Sequence, residues 1–460
     1  MEYKDMTILE IQNLKKANKL SYFELTNYYL NRIIKMNQHT NSISELNKKA
    51  LELAKERDAE YHENVNLLYG IPILVKDNIN TVDMKTTAGA VVLKDFYSQD
   101  DAFIIKQLKK TGAIVLGKTN LSEFANFISG ESRNGYSALK GQVLNPYGED
   151  LDVCGSSSGT GASIATSLAQ VGIGTETSGS ILCPSILNSL VGLKPSIGYV
   201  SRQGIIPISP TQDVPGPMAR TVIDTAILFN GIIGIDQKDK STVYASKIDL
   251  KEMQKPISGM KLGYVKSSLI NAATSEEIDM IDKQVDILKS LGAEIVDFHH
   301  KKPSREANFN VLFYEFPNAL KKYFEDEPNA PIKSLTEIIE FNKKDPEKRI
   351  PFGQSTFEKC LEISKLGKYE EELQFDKSFV SDYAMQIEEM GLDALIYTGY
   401  YGTWLPAKGG LPSITIPVGY IENRPFGITF SSLKFQEQKL LQIAFNLEKA
   451  TNSRIDPILK

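Results

Sequence analysis

Residues 154–195 read CGSSSGTGASIATSLAQVGIGTETSGSILCPSILNSLVGLKP, with two glycine-serine loops around Ser156 and Ser180. An apolar helix-then-strand run, ASIATSLAQVGIG, separates them. Small residues at both loops let backbone approach backbone, or a ligand approach backbone. The run TETSGS also offers consecutive N–H groups that can converge on a developing negative charge. Serines held beside such donors point to acyl transfer. The histidine partner of many catalytic serines is missing from this stretch. His39, His62, His299 and His300 all fall outside it and read as surface residues.

The rest of the chain repeats the same local order. A short apolar run, Ile71 to Val75 in YGIPILVKDNI, is of the buried-strand type. DDAFIIKQLKKTGAIVLGKTN reads helix, glycine, strand, and MKLGYV, SEEIDMIDKQVDILKSLG and AEIVDF give strand, helix, strand. DALIY, SITIPVG and FGITFSS read as late strands, followed by a helix over EQKLLQIAFNLEKAT. This alternation predicts an α/β protein with a large, mixed, mainly parallel sheet covered by helices on both faces. Residues 1–65 read as a helical N-terminal portion, with capping boxes at Thr7–Glu10, Ser21–Glu24 and Ser42–Glu45. Residues 66–235 read as the core, 301–390 as a helical elaboration beside it, and 391–460 as strands and a helix that complete it. No repeat or low-complexity linker divides the 460 residues, which predicts a single domain.

Composition narrows the function classes. With 52 basic and 57 acidic residues the net charge is −5, which argues against broad electrostatic binding of nucleic acid. No apolar run reaches the roughly 18 residues of a membrane span. Cys154, Cys183 and Cys360 show no metal-ligand spacing, and their odd number fits a reducing compartment. Cys154 and Cys183 read as small packing residues beside the loops. The N-terminus MEYKDMTILE lacks a signal or transit pattern, so the expected location is cytoplasmic. GSSSGTG has no GK[ST] after it, which removes a nucleotide-phosphate loop from consideration.

The motifs taken together resemble the amidase signature family. The likeness runs through GIPILVKDNI (70–79), GAIVLGKTNLSEFANF (112–127), CGSSSGTGAS, GTETSGSILCPS, VGLKPSIGYVSRQGIIP, QDVPGPMARTV and GGLPSITIPVGY. GTET-x-GSI-x-CP, with NLSEFANF and CGSSSG, is more similar to the peptide amidase branch than to the A-type subunit of the glutamyl-tRNA(Gln) amidotransferase. The resemblance implies the amidase signature fold and a Ser-Ser-Lys triad without metal or cofactor. Lys76 would be the base, Ser156 the bridge (from a cis peptide bond) and Ser180 the nucleophile. The backbone of Thr177, Ser178, Gly179 and Ser180 would form the oxyanion hole. Phe127, Gly155 and Ser157 would contact substrate, and Phe313, Tyr314, Tyr400, Tyr401 and Trp404 are candidate pocket walls. Asp77, Asn78, Asp213 and Arg220 would brace the site. Two departures stand out: Ser178 where many members have glycine, and Leu182 where many have arginine.

The chemistry implied is coherent. A serine hydroxyl becomes a good nucleophile when a neighbour accepts its proton, and lysine accepts one only when neutral. A lysine at the end of the apolar strand IPILV is placed for desolvation, which disfavours its charged form. The resemblance therefore implies hydrolysis of a carboxamide in a small molecule or short peptide by a monomer or homodimer. An amidotransferase component that passes ammonia from glutamine to a partner is one alternative. A non-catalytic amide-binding or partner-binding member is the other.

Overall fold

A computed structural model describes residues 2–266, 273–300 and 308–459. Residues 301–307, the start of the elaboration expected over 301–390, lie outside the described residues. In chain order the strands are β1 (Ile43–Leu46), β2 (Pro72–Lys76), β3 (Ile114–Thr119), β4 (Tyr136–Ser137), β5 (Gly141–Gln142), β6 (Val171–Glu176), β7 (Val191–Lys194), β8 (Val214–Ala219), β9 (Lys261–Val265), β10 (Glu294–Phe298), β11 (Ala394–Thr398), β12 (Ser413–Ile421) and β13 (Arg424–Ser431). β4 and β5 make a small separate hairpin. The others form one sheet in the order β1-β3-β2-β6-β8-β7-β12-β13-β11-β9-β10.

The sheet is mixed, and helices pack on it. Parallel pairing, the geometry expected of helix–strand alternation, joins β3 to β2 to β6 on one side and β11 to β9 to β10 on the other. Between these blocks β6, β8, β7, β12, β13 and β11 pair antiparallel. Every residue of β2, β3 and β6 is buried, as a strand covered on both faces requires. Because β2 and β6 run parallel in register, with Val75 opposite Ile173, their last residues leave the sheet at the same end. That end carries Lys76 on one strand and the loop 177–180 on the other.

The capping boxes at Thr7 and Ser21 form, each with the reciprocal glutamate bond. The one expected at Ser42 does not. The helix Tyr22–Thr40 closes on Asn41 in the left-handed region (φ 49°). The side-chain oxygen of Asn37 then accepts from the N–H groups of Ser42 and Ile43, both at 2.9 Å. The chain continues as β1, where Ile43 pairs with Thr119. Burial of Ile43 against the sheet wins over a local helix-start signal.

The described part of the elaboration contains helices at Asn310–Glu325, Leu335–Lys343, Pro346–Arg349, Ser355–Ile363 and Tyr369–Glu389. Phe316, Ile339 and Phe357 form an apolar core with Phe124, Phe127 and Ile128, so this helical layer seats on the segment after β3. Among the described residues no helix is long and apolar enough to cross a membrane.

The helix Ser158–Ala165 packs on β2, β6 and β8 behind the first serine loop. Its approach is close at Gly159, where a β-carbon would lie 2.2 Å from the Asn120 carbonyl oxygen and 2.5 Å from that of Ser42. Both obstacles are main chain and cannot swing aside. Gly159→Ala is therefore expected to cost about 1–3 kcal/mol of stability, as overpacking does. Urea unfolding measures this, and an unchanged midpoint would contradict the close approach.

Candidate active site

Lys76 ends β2 in full burial, as does Ser156 on its loop, whereas Ser180 is 9% exposed. The Lys76 Nζ donates to Ser156 Oγ at 2.7 Å and to the carbonyl and hydroxyl oxygens of Thr175 at 3.2 and 2.9 Å. Asn78 Nδ2 donates to the same Thr175 hydroxyl at 3.0 Å. Burial drives the lysine down to about 7, against the opposing pull of the Glu176 and Asp213 carboxylates. A substantial fraction of Lys76 is then neutral near pH 7.

The peptide bond between Gly155 and Ser156 is cis. From there the backbone N–H of Ser157 donates to the carbonyl of Ser180 at 3.2 Å, tying the two serine loops together. Among the described residues no hydrogen bond joins the Ser156 and Ser180 hydroxyls themselves.

The loop that carries Ser180 is held mainly by Glu176, a residue whose role the sequence did not reveal. Its carboxylate straddles Ser180, with one oxygen accepting from Gly179 N–H (2.7 Å) and the other from Ile181 and Leu182 N–H (2.7 and 3.0 Å). The four amides expected to form an oxyanion hole are thus not equivalent, because that of Gly179 already serves Glu176. Gly179 also takes the left-handed backbone (φ 82°), while Ser178 does not. This explains how serine is accommodated where many members have glycine. Thr177 is fixed from two sides, its hydroxyl donating to Asp213 at 2.5 Å and its carbonyl accepting from Gln212 at 3.1 Å. Burial raises the Asp213 carboxyl to about 6 even though Thr177 and the N–H groups of Ile208 and Ser209 donate to it.

Asp77 accepts from both the N–H and the hydroxyl of Thr87 and lies 3.5 Å from the buried Lys118 ammonium. Lys118 in turn donates to the carbonyls of Ile79 and Lys85. This pair fixes the turn after Lys76. Arg220 donates to the carbonyls of Ile164 and Ala169, at the back of the helix that follows the first serine loop. A cavity of about 670 Å³ lies beside the lysine's partners, lined in part by Asn78, Ala125, Thr175, Thr177, Asp213 and Tyr323.

The expected pocket aromatics do not gather at that cavity. Phe127 and Phe313 face each other at 5.7 Å in the helical layer. Tyr314 packs on Tyr369, Trp404 stacks on Phe379, and Tyr400 lies beside Tyr401. His300 is buried against Phe379 rather than at the surface, because it follows β10 into an aromatic cluster. Cys154 and Cys183 are not separate packing residues. They form a disulfide, with Cα atoms 5.9 Å apart. Residues 29 apart in sequence meet here because the helix Ser158–Ala165 and β6 return the chain to its starting point.

The amidase family model matches residues 24–398. The solved structure of an amidase family protein from Bacillus anthracis str. Ames is 40% identical, with a TM-score of 0.94 over 99% of this chain and 92% of that one. Native peptide amidase from Stenotrophomonas maltophilia is 35% identical, with a TM-score of 0.93 over 99% of both chains. The A-type subunit of glutamyl-tRNA(Gln) amidotransferase from Thermoanaerobacter pseudethanolicus is 30% identical over 99% of both. With a buried lysine on a serine, two serine loops at one sheet end and these matches, the chain belongs to the amidase signature family, enzymes that hydrolyse carbon–nitrogen bonds.

Proposed function

We propose that this protein is a stand-alone amidase that converts a carboxamide to a carboxylate and ammonia or an amine, with C-terminal peptide amides as the first substrate class. Ser180 is the nucleophile, Ser156 the relay and Lys76 the base. The observation that carries this reading is the 2.7 Å contact between Lys76 and Ser156 in full burial. The reading takes residues 1–460 as one amidase domain, working as a monomer or homodimer. Its cytoplasmic location has one observation against it, since a disulfide persists best in oxidising surroundings.

In the first half-reaction neutral Lys76 takes the Ser156 proton while Ser156 takes the Ser180 proton. Ser180 Oγ bonds to the amide carbon, and the carbonyl electrons move onto oxygen. Collapse expels the nitrogen, which receives a proton back through Ser156, and ammonia leaves an ester on Ser180. Water then attacks the ester by the same relay, yielding the carboxylic acid and the free serine. Backbone N–H groups of 177–180 face the oxyanion in this reading, with Gly179 the weakest contributor because of Glu176.

The test is ammonia release by the purified chain from C-terminal peptide amides, amino-acid amides, aryl and aliphatic amides and glutamine, with Ser180→Ala as control. Release from peptide amides that vanishes in the variant supports the reading. Release from glutamine alone would favour the amidotransferase component. No release, with Ser180 unlabelled by a fluorophosphonate, would favour a non-catalytic member.

A pH dependence follows from Lys76. The base works deprotonated and sits at about 7, so kcat/KM is expected to rise about tenfold per pH unit below that value and level off above it. A rate that is maximal near pH 5 and falls as pH rises would exclude lysine as the base.

A further inference from the structure

We propose that Cys154 and Cys183 are positioning residues for amide hydrolysis, so that reducing their disulfide lowers turnover. This rests on the Ser-Ser-Lys reading above. Cys154 lies two residues before the relay serine, and Cys183 three residues after the nucleophile. The bridge between them is a covalent tie between the two loops that must be in register for proton transfer.

Each cysteine is anchored by short hydrogen bonds on the loop that carries its serine. Cys183 N–H donates to Gly179 O at 2.8 Å, which places the cysteine on the turn that carries Ser180. On the other side the Cys154 carbonyl accepts from Ser158 Oγ at 2.6 Å, and its N–H donates to Asp152 at 2.8 Å. Cys154 itself holds a left-handed backbone (φ 55°), uncommon for a non-glycine residue. Both cysteines are buried, in an apolar cluster with Ile186 and Leu187 against which Tyr400 packs.

Reduction by a dithiol breaks the S–S bond. Each cysteine sulfur gains a hydrogen, while the dithiol gives up two electrons and two protons and closes to its own disulfide. Two thiols no longer bonded separate toward van der Waals contact, about 3.5–4.0 Å. In a packed cluster this separation is shared between side-chain rotation and parting of the loops. Two hydrogen bonds still hold the loops, Ser157 N–H to Ser180 O and Asn188 Nδ2 to Val153 O. The loss is therefore partial. A misplacement of about 1 Å costs up to about 100-fold, and partial restraint sets the expected fall near tenfold. The fall belongs to kcat, because the serine-to-serine geometry is used in the chemical step. The third cysteine does not interfere: Cys360 lies in the helical layer, and burial pushes its thiol up to about 12.

The experiment measures kcat and KM for ammonia release from a C-terminal peptide amide. It uses air-oxidised full-length protein, the same protein after dithiothreitol, and the reduced protein returned to oxidised glutathione. Thiol counts by mass spectrometry accompany each state. The expected result is a roughly tenfold lower kcat on reduction, KM within about twofold, and recovery on reoxidation. Cys154→Ala/Cys183→Ala is expected at the reduced level and indifferent to reductant, while Cys360→Ala responds as the parent does. Equal kcat in the oxidised and reduced protein would overturn the proposal, as would three free thiols in the air-oxidised chain. If the double variant does not fold, the reversible cycle on the parent protein decides. Failure of the oxidised protein to release ammonia from any amide, with Ser180 unlabelled, would instead overturn the amidase reading and the proposal with it.

Discussion

Lys76→Ala is expected to lower kcat for ammonia release by about 1,000- to 10,000-fold while KM moves only a few-fold. The lysine touches Ser156 and Thr175 and contacts no solvent. Its loss therefore falls on proton transfer rather than on substrate capture. In the proposed relay Ser156 then has no group to which it can pass a proton, and both proposed half-reactions need that transfer in each direction. Lys76→Met retains most of the volume and separates the chemical loss from a packing loss. It should match the alanine variant in kcat while unfolding closer to the parent. The residual rate of either variant should also lose the rise centred near pH 7, since the group that titrates there is gone. A kcat within about tenfold of the parent in the methionine variant would remove Lys76 from the mechanism.

Glu176→Gln should cost about 100-fold in kcat, the scale of a misplaced reacting group. The parent carboxylate uses both oxygens, one for Gly179 and the other for Ile181 and Leu182. An amide offers one oxygen and one NH₂, so whichever way it turns an N–H group faces another donor. The loop on both sides of Ser180 is released in part, and a buried N–H is left unpaired. A second readout separates this from simple loosening. Glu176 raises the Lys76 pKa, so removing the charge lets the lysine fall further and moves the kcat/KM limb to lower pH. Unchanged kcat together with an unmoved limb would mean that Glu176 neither positions the nucleophile nor acts on the base.

The residues that could be read in the sequence are those that lie inside local motifs. Lys76, Ser156 and Ser180 each sit in a run of distinctive neighbours. The burial of Lys76 follows from the strand IPILV alone. What could not be read depends on partners far away along the chain. Thr175 and Asn78 share one hydrogen bond across 97 residues, and Thr177 finds Asp213 across 36. The Glu176 clamp spans only a few residues, yet nothing in TETSGS says that its carboxylate turns back over its own loop. Ser42 shows the opposite failure, a clear local signal overruled because Ile43 gains more by joining the sheet. Helix–strand alternation gave the order of elements and their layering. It did not give strand direction across the centre, where β7, β8, β12 and β13 turn antiparallel. The cysteines misled for a related reason, since an odd count in a long chain does not reveal that two of the three meet.

The central hairpin β12–β13 has a consequence for how the protein is born. β12 pairs with β7, and the short helix Leu182–Leu187 after Ser180 rests on both strands of the hairpin. The support of the Ser180 loop is thus more than 200 residues downstream of it. During translation the segment carrying Lys76, Ser156 and Ser180 emerges long before residues 413–431. Until they appear, β7 presents an open edge to the cell, a template for wrong pairing. A ribosome-bound chain lacking residues 413–431 should consequently be silent toward amides and dependent on chaperones, with the proposed hydrolytic competence arriving only once those strands have emerged.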